Sequence, residues 1–399
     1  MNKPRARRSP QRFQLNKHAL AVVSGGHPWV FRDQLSSAAS ALADGQWLRL
    51  YDGHNRIVGH GIYEGEGAIG IRVVARGGDR PDAASLGRAV DAALARRQGL
   101  RAETDAFRAI HGESDHLPAV VVDVFGPVVV VQTYSAGAAA LGRWAAARVA
   151  AAVGATAIID KPALRRTSAR AVEGPPRVLC GQPSDEVPFR EGPLTLVARP
   201  LSGQKSGTFL DLRGLRRHLA AAPLAGARVL NLFAYTGTLG LACEHAGAAE
   251  IWQVDRSMAA LEHGERFHAR DRGRHRWICA DIFDWLPGLD PNERFDVAIV
   301  DPPSMTSRID QVPQVLQTYR RLYRRVAPHV PPGGAVIACC CTSRVPRQTF
   351  LATVGSALGA DFHVERDLRP EPDHPVAFRE ADYLKVTVWR RSGAPPARP

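Results

Sequence analysis

Two places late in the chain hold the residue types that covalent chemistry needs. The apolar run Val297-Ala298-Ile299-Val300 passes directly into Asp301-Pro302-Pro303-Ser304, and Ala335-Val336-Ile337-Ala338 passes into Cys339-Cys340-Cys341-Thr342-Ser343. Two adjacent prolines hold a loop extended and rigid, so the acid before them is presented at a strand tip. A plain structural turn is the competing account of Asp301. A cysteine thiolate at the neighbouring tip is a nucleophile. It can add to C6 of a cytosine and make C5 enamine-like, provided a neighbour lowers its pKa or takes its proton. Buried cysteines are also ordinary small apolar residues, a reading that suits Cys339 and Cys340.

A third cluster precedes these. Leu232-Phe233-Ala234-Tyr235-Thr236-Gly237-Thr238-Leu239-Gly240 follows an apolar strand and opens a helix, the turn at which a doubly wound sheet holds its ligand. Phe233, Tyr235, Thr236 and Gly237 are the candidate contacts, with Gly237 letting the backbone approach the ligand without a Cβ. The loop lacks the complete G-x-G-x-x-G fingerprint, which argues against a dinucleotide. Asp255 lies 18 residues beyond Gly237, at the next strand tip, where a carboxylate suits two ribose hydroxyls. Asp281 ends a third strand candidate, Cys279-Ala280-Asp281, and could accept from an adenine amino group. Each acid could equally cap a helix.

These residues need a sheet to align them. From residue 191 onward, apolar strands (Val229–Leu232, Glu250–Val254, Val297–Val300, Ala335–Ala338) alternate with helical stretches, the pattern of a parallel sheet covered on both faces. Residues 13 to 76 instead alternate short apolar runs with Gly and Asn/Asp turns and read as a small β domain. Between them, helices are expected at Ser85–Leu100 and Ala136–Val153 and strands at Ala119–Asp123, Val128–Gln132 and Ala157–Ile159. The expected domains are therefore 1–76, 77–190 and 191–399.

Composition narrows the function classes. Over 399 residues, 52 Lys and Arg face 39 acids, a formal charge of +13, which favours a polyanionic partner through counterion release. A general Arg bias in the coding sequence would give the same excess without a partner. The six cysteines show no C-x-x-C spacing, so neither a metal site nor a disulfide framework is suggested, and a reducing cytoplasm fits best. Val128 to Ile159 is interrupted by Gln132, Arg143 and Arg148, which argues against a membrane span. The basic start (Lys3, Arg5, Arg7, Arg8, Arg12) lacks the apolar run of a secretory signal and reads as an RNA-facing arm.

Taken in order, the landmarks resemble one family. They are His27-Pro28-Trp29-Val30-Phe31; Gly112-Glu113-Ser114-Asp115 through Leu117-Pro118 to Val122-Asp123; Gly203-Gln204-Lys205-Ser206-Gly207 with Phe209-Leu210-Asp211-Leu212-Arg213; the Leu232–Gly237 loop; Asp301-Pro302-Pro303; Asp373-His374-Pro375-Val376; and Tyr383-Leu384-Lys385. Nearly the whole chain is similar to the PUA-containing bacterial methyltransferases that make 5-methylcytosine in large-subunit ribosomal RNA. That resemblance implies an α/β fold with a Rossmann-like class I methyltransferase domain, preceded by a β-rich PUA domain and a mixed α+β middle domain. It also implies S-adenosylmethionine as cofactor and large-subunit ribosomal RNA as partner; a homodimer is compatible with it.

Matching the family's Ser-Cys-Ser pattern onto Cys340-Cys341-Thr342 selects Cys341 as nucleophile. Asp301 then serves catalysis and, with Pro302, lines the cofactor, while Lys205 in its glycine-flanked loop becomes a phosphate or cofactor-carboxylate contact. Ser304 stands where relatives often carry lysine, and His116 where they usually carry glycine, which bears on the choice of target. Methyl transfer to another RNA atom needs Asp301 but no thiol. A non-catalytic RNA assembly factor or a nicotinamide enzyme are the remaining alternatives.

Overall fold

A computed structural model describes residues 10–162, 175–306 and 308–393. Lys3, Arg5, Arg7 and Arg8 of the expected arm lie outside the described residues; Arg12 lies within them, its guanidinium 4.3 Å from the centre of the Tyr51 ring. The chain forms two compact units. The first comprises Met1–Phe189, Ala198–Leu210 and Pro372–Phe378, and the second Arg190–Val197, Asp211–Glu371 and Arg379–Pro399.

In the first unit, β1 (Gln11–Gln14), β2 (Trp29–Phe31), β3 (Trp47–Tyr51), β4 (Ile57–Tyr63) and β5 (Ile69–Arg76) form a sheet ordered β1-β3-β4-β5-β2. Helix α1 (Lys17–Ser24) buries Ala19 and Val23 against its core of Leu48, Leu50 and Ile71. A second sheet, ordered β10-β9-β8-β7-β6, is built from β6 (Ala106–His111), β7 (Val120–Phe125), β8 (Val128–Thr133), β9 (Ala157–Asp160) and β10 (Arg177–Cys180). Helices α2 (Ala83–Arg96) and α3 (Ala139–Val153) supply its apolar cover, Val90, Ala146 and Val149 among it. Helix α2 begins two residues before the expected Ser85 because Asp82 caps it: Asp82 Oδ1 accepts from Ser85 N at 2.7 Å and Ser85 Oγ accepts from Asp82 N at 3.0 Å. It also ends earlier than expected, at Arg96, and a 3-10 turn, Gln98–Ala102, takes over.

Several landmarks of the first unit prove to be one buried polar network. Asp115 and Arg97, both fully buried, make two hydrogen bonds at 2.9 and 2.6 Å, and Arg97 also donates to the Asp373 carbonyl at 3.1 Å. Asp123 accepts two bonds from Arg108, at 2.8 and 3.0 Å, and one from the Ser206 hydroxyl. Asp373 accepts from Arg108 N and from His374 Nδ1. His116 sits in the left-handed region, φ 59°, which explains why glycine suits that position.

A two-stranded sheet follows, β11 (Val187–Glu191) and β12 (Leu194–Ala198). The second unit then contains α4 (Arg213–Ala220), β13 (Arg228–Leu232), α5 (Thr238–His245), β14 (Glu250–Asp255), α6 (Met258–Phe267), β15 (His275–Cys279), α7 (Ile282–Trp285), β16 (Val297–Val300), α8 (Val312–Val326), β17 (Ala335–Cys340), α9 (Arg347–Leu358), β18 (Phe362–Leu368) and β19 (Lys385–Arg391). Its seven strands run β15-β14-β13-β16-β17-β19-β18, with the first five parallel and β19 antiparallel to both neighbours. Leu230, Val300 and Ala338 face Tyr319 of α8 and Phe350 of α9 in one core, while the alternate residues Val229, Ile299 and Ile337 are buried on the opposite face. The sequence reading of a parallel sheet therefore holds for five strands. It misses the antiparallel pair because β18, FHVERDL, is exposed along most of its length and carries no apolar run.

Candidate active site

Because β13 to β17 are parallel, their C-terminal ends share one edge, and the strand order reverses between the β14 and β16 sides of β13. Ligands of open α/β sheets bind outside the carboxyl ends at such a reversal. Asp301 directly follows β16, Cys341 directly follows β17, Asp255 ends β14 and Asp281 lies two residues after β15. Loop 233–237 follows β13. The predicted residues other than Lys205 thus come to one edge of the second unit. Lys205 belongs to the first unit, at φ 50°, with its ammonium 4.3 Å from the centre of the Phe209 ring.

The loop after β13 is strained and heavily tied. Phe233 and Tyr235 have φ 61° and 50°, left-handed values costly for side-chain-bearing residues, and Gly237 has φ 71°. Asp255 holds this shape, Oδ2 accepting from Tyr235 N at 2.8 Å and Oδ1 from Ser257 N at 2.9 Å. His268 braces the loop from below: its Nε2 accepts from Val197 N at 3.0 Å, so its proton lies on Nδ1 and is donated to Thr236 O at 2.7 Å. Burial holds this imidazole neutral, pushing its pKa down to about 3.

Gly237 also answers a need beyond the close ligand approach that its sequence suggests. A Cβ there would lie 2.7 Å from Trp277 Cη2 and 2.9 Å from Gln253 Nε2, so glycine is required on the protein side of the loop. Gln253 is itself fixed, accepting from Asn231 Nδ2 at 2.7 Å. Trp277, Gln253 and His268 are supports that sequence reading missed, since nothing in a buried strand or a helix end announces which loop it touches.

The outer side of the edge offers an acceptor and ring set that a nucleoside can use. Asp255 is partly exposed and Asp281 exposed, and each carboxylate oxygen can accept a second hydrogen bond beyond its backbone donor. The exposed Phe283 ring meets the Phe233 ring edge-on, with centroids 5.9 Å apart.

At the other end of the edge the cysteine triplet separates. Cys339 and Cys340 are fully buried, whereas Cys341 is partly exposed. Cys341 Sγ donates toward Pro302 O at 3.6 Å, which joins the tips of β16 and β17. Burial, followed by the nearby Asp301 charge, pushes the Cys339 thiol far above its ordinary pKa, so that thiol stays protonated. The Tyr319 and Tyr323 hydroxyls lie beneath the tip, buried and without a hydrogen-bond partner among the described residues. Behind it, Lys385 donates to Thr342 O at 3.0 Å.

The family model for the S-adenosylmethionine-dependent methyltransferases matches residues 145–390, and that for the PUA-like domain residues 13–76. The chain belongs to this methyltransferase family. S-adenosylmethionine is its cofactor, and the acceptor carboxylates and aromatic rings at the strand edge suit an adenosine moiety. A ribosomal RNA large subunit methyltransferase of Deinococcus radiodurans is 31% identical to this methyltransferase, over 97% of this chain and 98% of that protein. Ribosomal RNA large subunit methyltransferase I of Alteromonas mediterranea is 30% identical, over 91% and 94%. Among solved structures, a candidate S-adenosylmethionine-dependent methyltransferase from Streptococcus mutans shares the fold, with a TM-score of 0.82 at 18% identity, covering 95% of this chain and 99% of that one. A second, solved with S-adenosylhomocysteine, has a TM-score of 0.82 at 19% identity, with the same coverage. No helix among the described residues is long and apolar enough to cross a membrane.

Proposed function

We propose that this enzyme methylates C5 of a cytosine in large-subunit ribosomal RNA, through a transient bond between Cys341 and C6 of that base. The observation that carries the reading is the position of Cys341: the partly exposed member of a cysteine triplet, at the tip beside Asp301-Pro302. Phe233, Tyr235, Thr236, Gly237, Asp255 and Asp281 hold the adenosine end of the cofactor, and Asp301 and Pro302 line the reacting end. Lys205 meets a phosphate or the cofactor carboxylate. Residues 1–76 bind RNA, residues 77–190 form a mixed α+β middle domain, residues 191–399 transfer the methyl group, and the enzyme works in a reducing cytoplasm.

Chemically, C5 of cytosine is a weak nucleophile. Addition of the Cys341 thiolate to C6 places electron density on C5, which can then bond to carbon. S-adenosylmethionine supplies the electrophilic methyl group. Methyl transfer leaves S-adenosylhomocysteine, and loss of the C5 proton to a base with expulsion of the thiolate restores the aromatic ring and frees Cys341. Asp301 accepts from the exocyclic amine of the base and holds it at the edge.

The supports are the large-subunit methyltransferase names of the full-length relatives and the formal charge of +13, suited to a phosphate backbone. The test is nucleoside mass spectrometry of ribosomal RNA from a deletion strain, treated with purified enzyme and labelled cofactor. Label in 5-methylcytidine supports the reading. Label in a nitrogen-methylated base, or none, rejects it.

A further inference from the structure

Lys385 opens β19, and its Cα pairs with that of Cys340 on β17. Its side chain is 1% exposed, and its ammonium donates to two neutral acceptors, Thr342 O at 3.0 Å and Tyr383 O at 3.1 Å. Among the described residues it makes no ion pair. A buried ammonium without a bonded carboxylate is costly, and methionine would fill the same space without that cost. Burial accordingly draws the Lys385 pKa below its ordinary value. A cation kept in such a place is best matched by a negative charge that forms nearby during the reaction. Thr342, whose carbonyl it holds, is the residue after Cys341.

Asp382 acts on Lys385 by its charge without bonding it, and Arg344 lies three positions beyond Cys341 in sequence; the remaining charged and titratable groups at the tip, among the described residues, do not supply this stabilisation. Asp301 at the end of β16 and Asp211, which accepts from the Tyr383 hydroxyl at 2.7 Å, are acids that oppose a second negative charge. Tyr319 and Tyr323 on α8 are pushed upward by burial and stay neutral, as does Cys339. Cys340 is buried on β17 itself. Arg347 is engaged by Asp367 at 2.6 Å and by Asp382 at 2.8 Å.

We propose that Lys385 is the positioning residue for Cys341: by holding Thr342 O it fixes the turn that aims Sγ at Pro302, and its charge stabilises the thiolate. This rests on Cys341 being the nucleophile, but its test does not require methyl transfer. Full-length protein is treated with iodoacetamide across a pH series, and the S–C bond formed at Cys341, with loss of iodide, is followed by peptide mass spectrometry. Peptide resolution is needed because Cys180 and Cys279 are also exposed.

Lys385→Met should slow Cys341 alkylation at pH 7 by about ten-fold and move its midpoint up by about one pH unit, while Cys180 and Cys279 keep their rates. Lys385→Arg, which keeps the charge, should retain the wild-type profile and serves as the deciding variant if Lys385→Met does not fold. An unshifted Cys341 profile in Lys385→Met, or a shift of the full size in a folded Lys385→Arg, overturns the proposal. If Cys341→Ser still transfers methyl groups, the nucleophile assignment fails while the alkylation comparison still reports whether Lys385 controls the thiol.

Discussion

Cys341 Sγ lies 3.6 Å from the carbonyl oxygen of Pro302, so a thiol at the end of β17 reaches the rigid loop that ends β16. Neither of its neighbours in sequence can do this. Cys339 and Cys340 are fully enclosed on opposite faces of the sheet, and strand alternation alone puts them there.

Cys341→Ser should lower methyl transfer by on the order of 10³-fold or more while S-adenosylmethionine binding in calorimetry stays within about two-fold, as for loss of a group that acts only in the reaction. Cys340→Ala should lose about 1 kcal/mol of stability and keep its turnover. Equal turnover in Cys341→Ser and wild type would return the thiol to a packing role.

Gly237→Ala adds a Cβ at φ 71° that meets Trp277 and Gln253. The left-handed backbone and the overpacking together should cost about 2–3 kcal/mol in urea unfolding, with cofactor affinity reduced at least about ten-fold. Trp277→Leu in the same chain should recover part of both losses. A double variant no better than Gly237→Ala would show that the contact with Trp277 is not what the glycine avoids.

His268 is neutral in the folded state, with its pKa held down to about 3 against 6.5 for an unperturbed imidazole. Between those values the unfolded chain binds a proton that the folded chain does not, so stability is full above pH 6.5 and falls as the pH drops towards 3. His60, His218 and His275 are also shifted downward by burial and act in the same direction. Urea unfolding at pH 7.5 and 4.5 should differ by about 2–3 kcal/mol through His268 alone, and His268→Gln should reduce the difference. An equally steep dependence in that variant would mean that another group carries it.

In the first unit, Asp115→Ala removes the carboxylate that bonds the fully buried Arg97 and should cost about 3–5 kcal/mol, the penalty of stranding a buried charge. His116→Gly, one residue later, should instead stabilise by about 0.5–1 kcal/mol, because glycine takes φ 59° without strain. Thermal unfolding that moved in the same direction for both would contradict the φ argument.

Much of this was legible in the chain because strand tips announce themselves. Apolar runs ending in Asp301, in Cys339-Cys340-Cys341 and in Asp255 mark three candidate positions as strand tips, and the structure has them at strand ends. The choice among the cysteines was not legible locally, because three identical residues carry no pattern; it came from family resemblance, and burial provides an independent physical reason. The sequence suggests a ligand-facing reason for Gly237 and hides a second one, since it does not show that Trp277 from a strand two positions away fills the space behind it. Lys385 appeared only as a landmark, because a lysine at the start of an antiparallel strand looks solvent-exposed until the strand is placed against β17. Asp115, Asp123 and Asp373 stood out as landmarks as well, and their partners show that they hold the first unit together.

The first unit takes residues from three separate stretches, the last of them Pro372–Phe378. During synthesis, therefore, the Arg97 guanidinium and the Arg108 backbone N–H wait for Asp373, which is made more than 260 positions later. Until then one donor of the Arg97 guanidinium and the Arg108 amide lack acceptors that the finished protein gives them, although Asp115 and Asp123 already hold the two side chains. The early part of the chain thus reaches its final stability only when most of the methyltransferase has been made, and premature truncation upstream of residue 373 should yield a front half prone to degradation or in need of a chaperone.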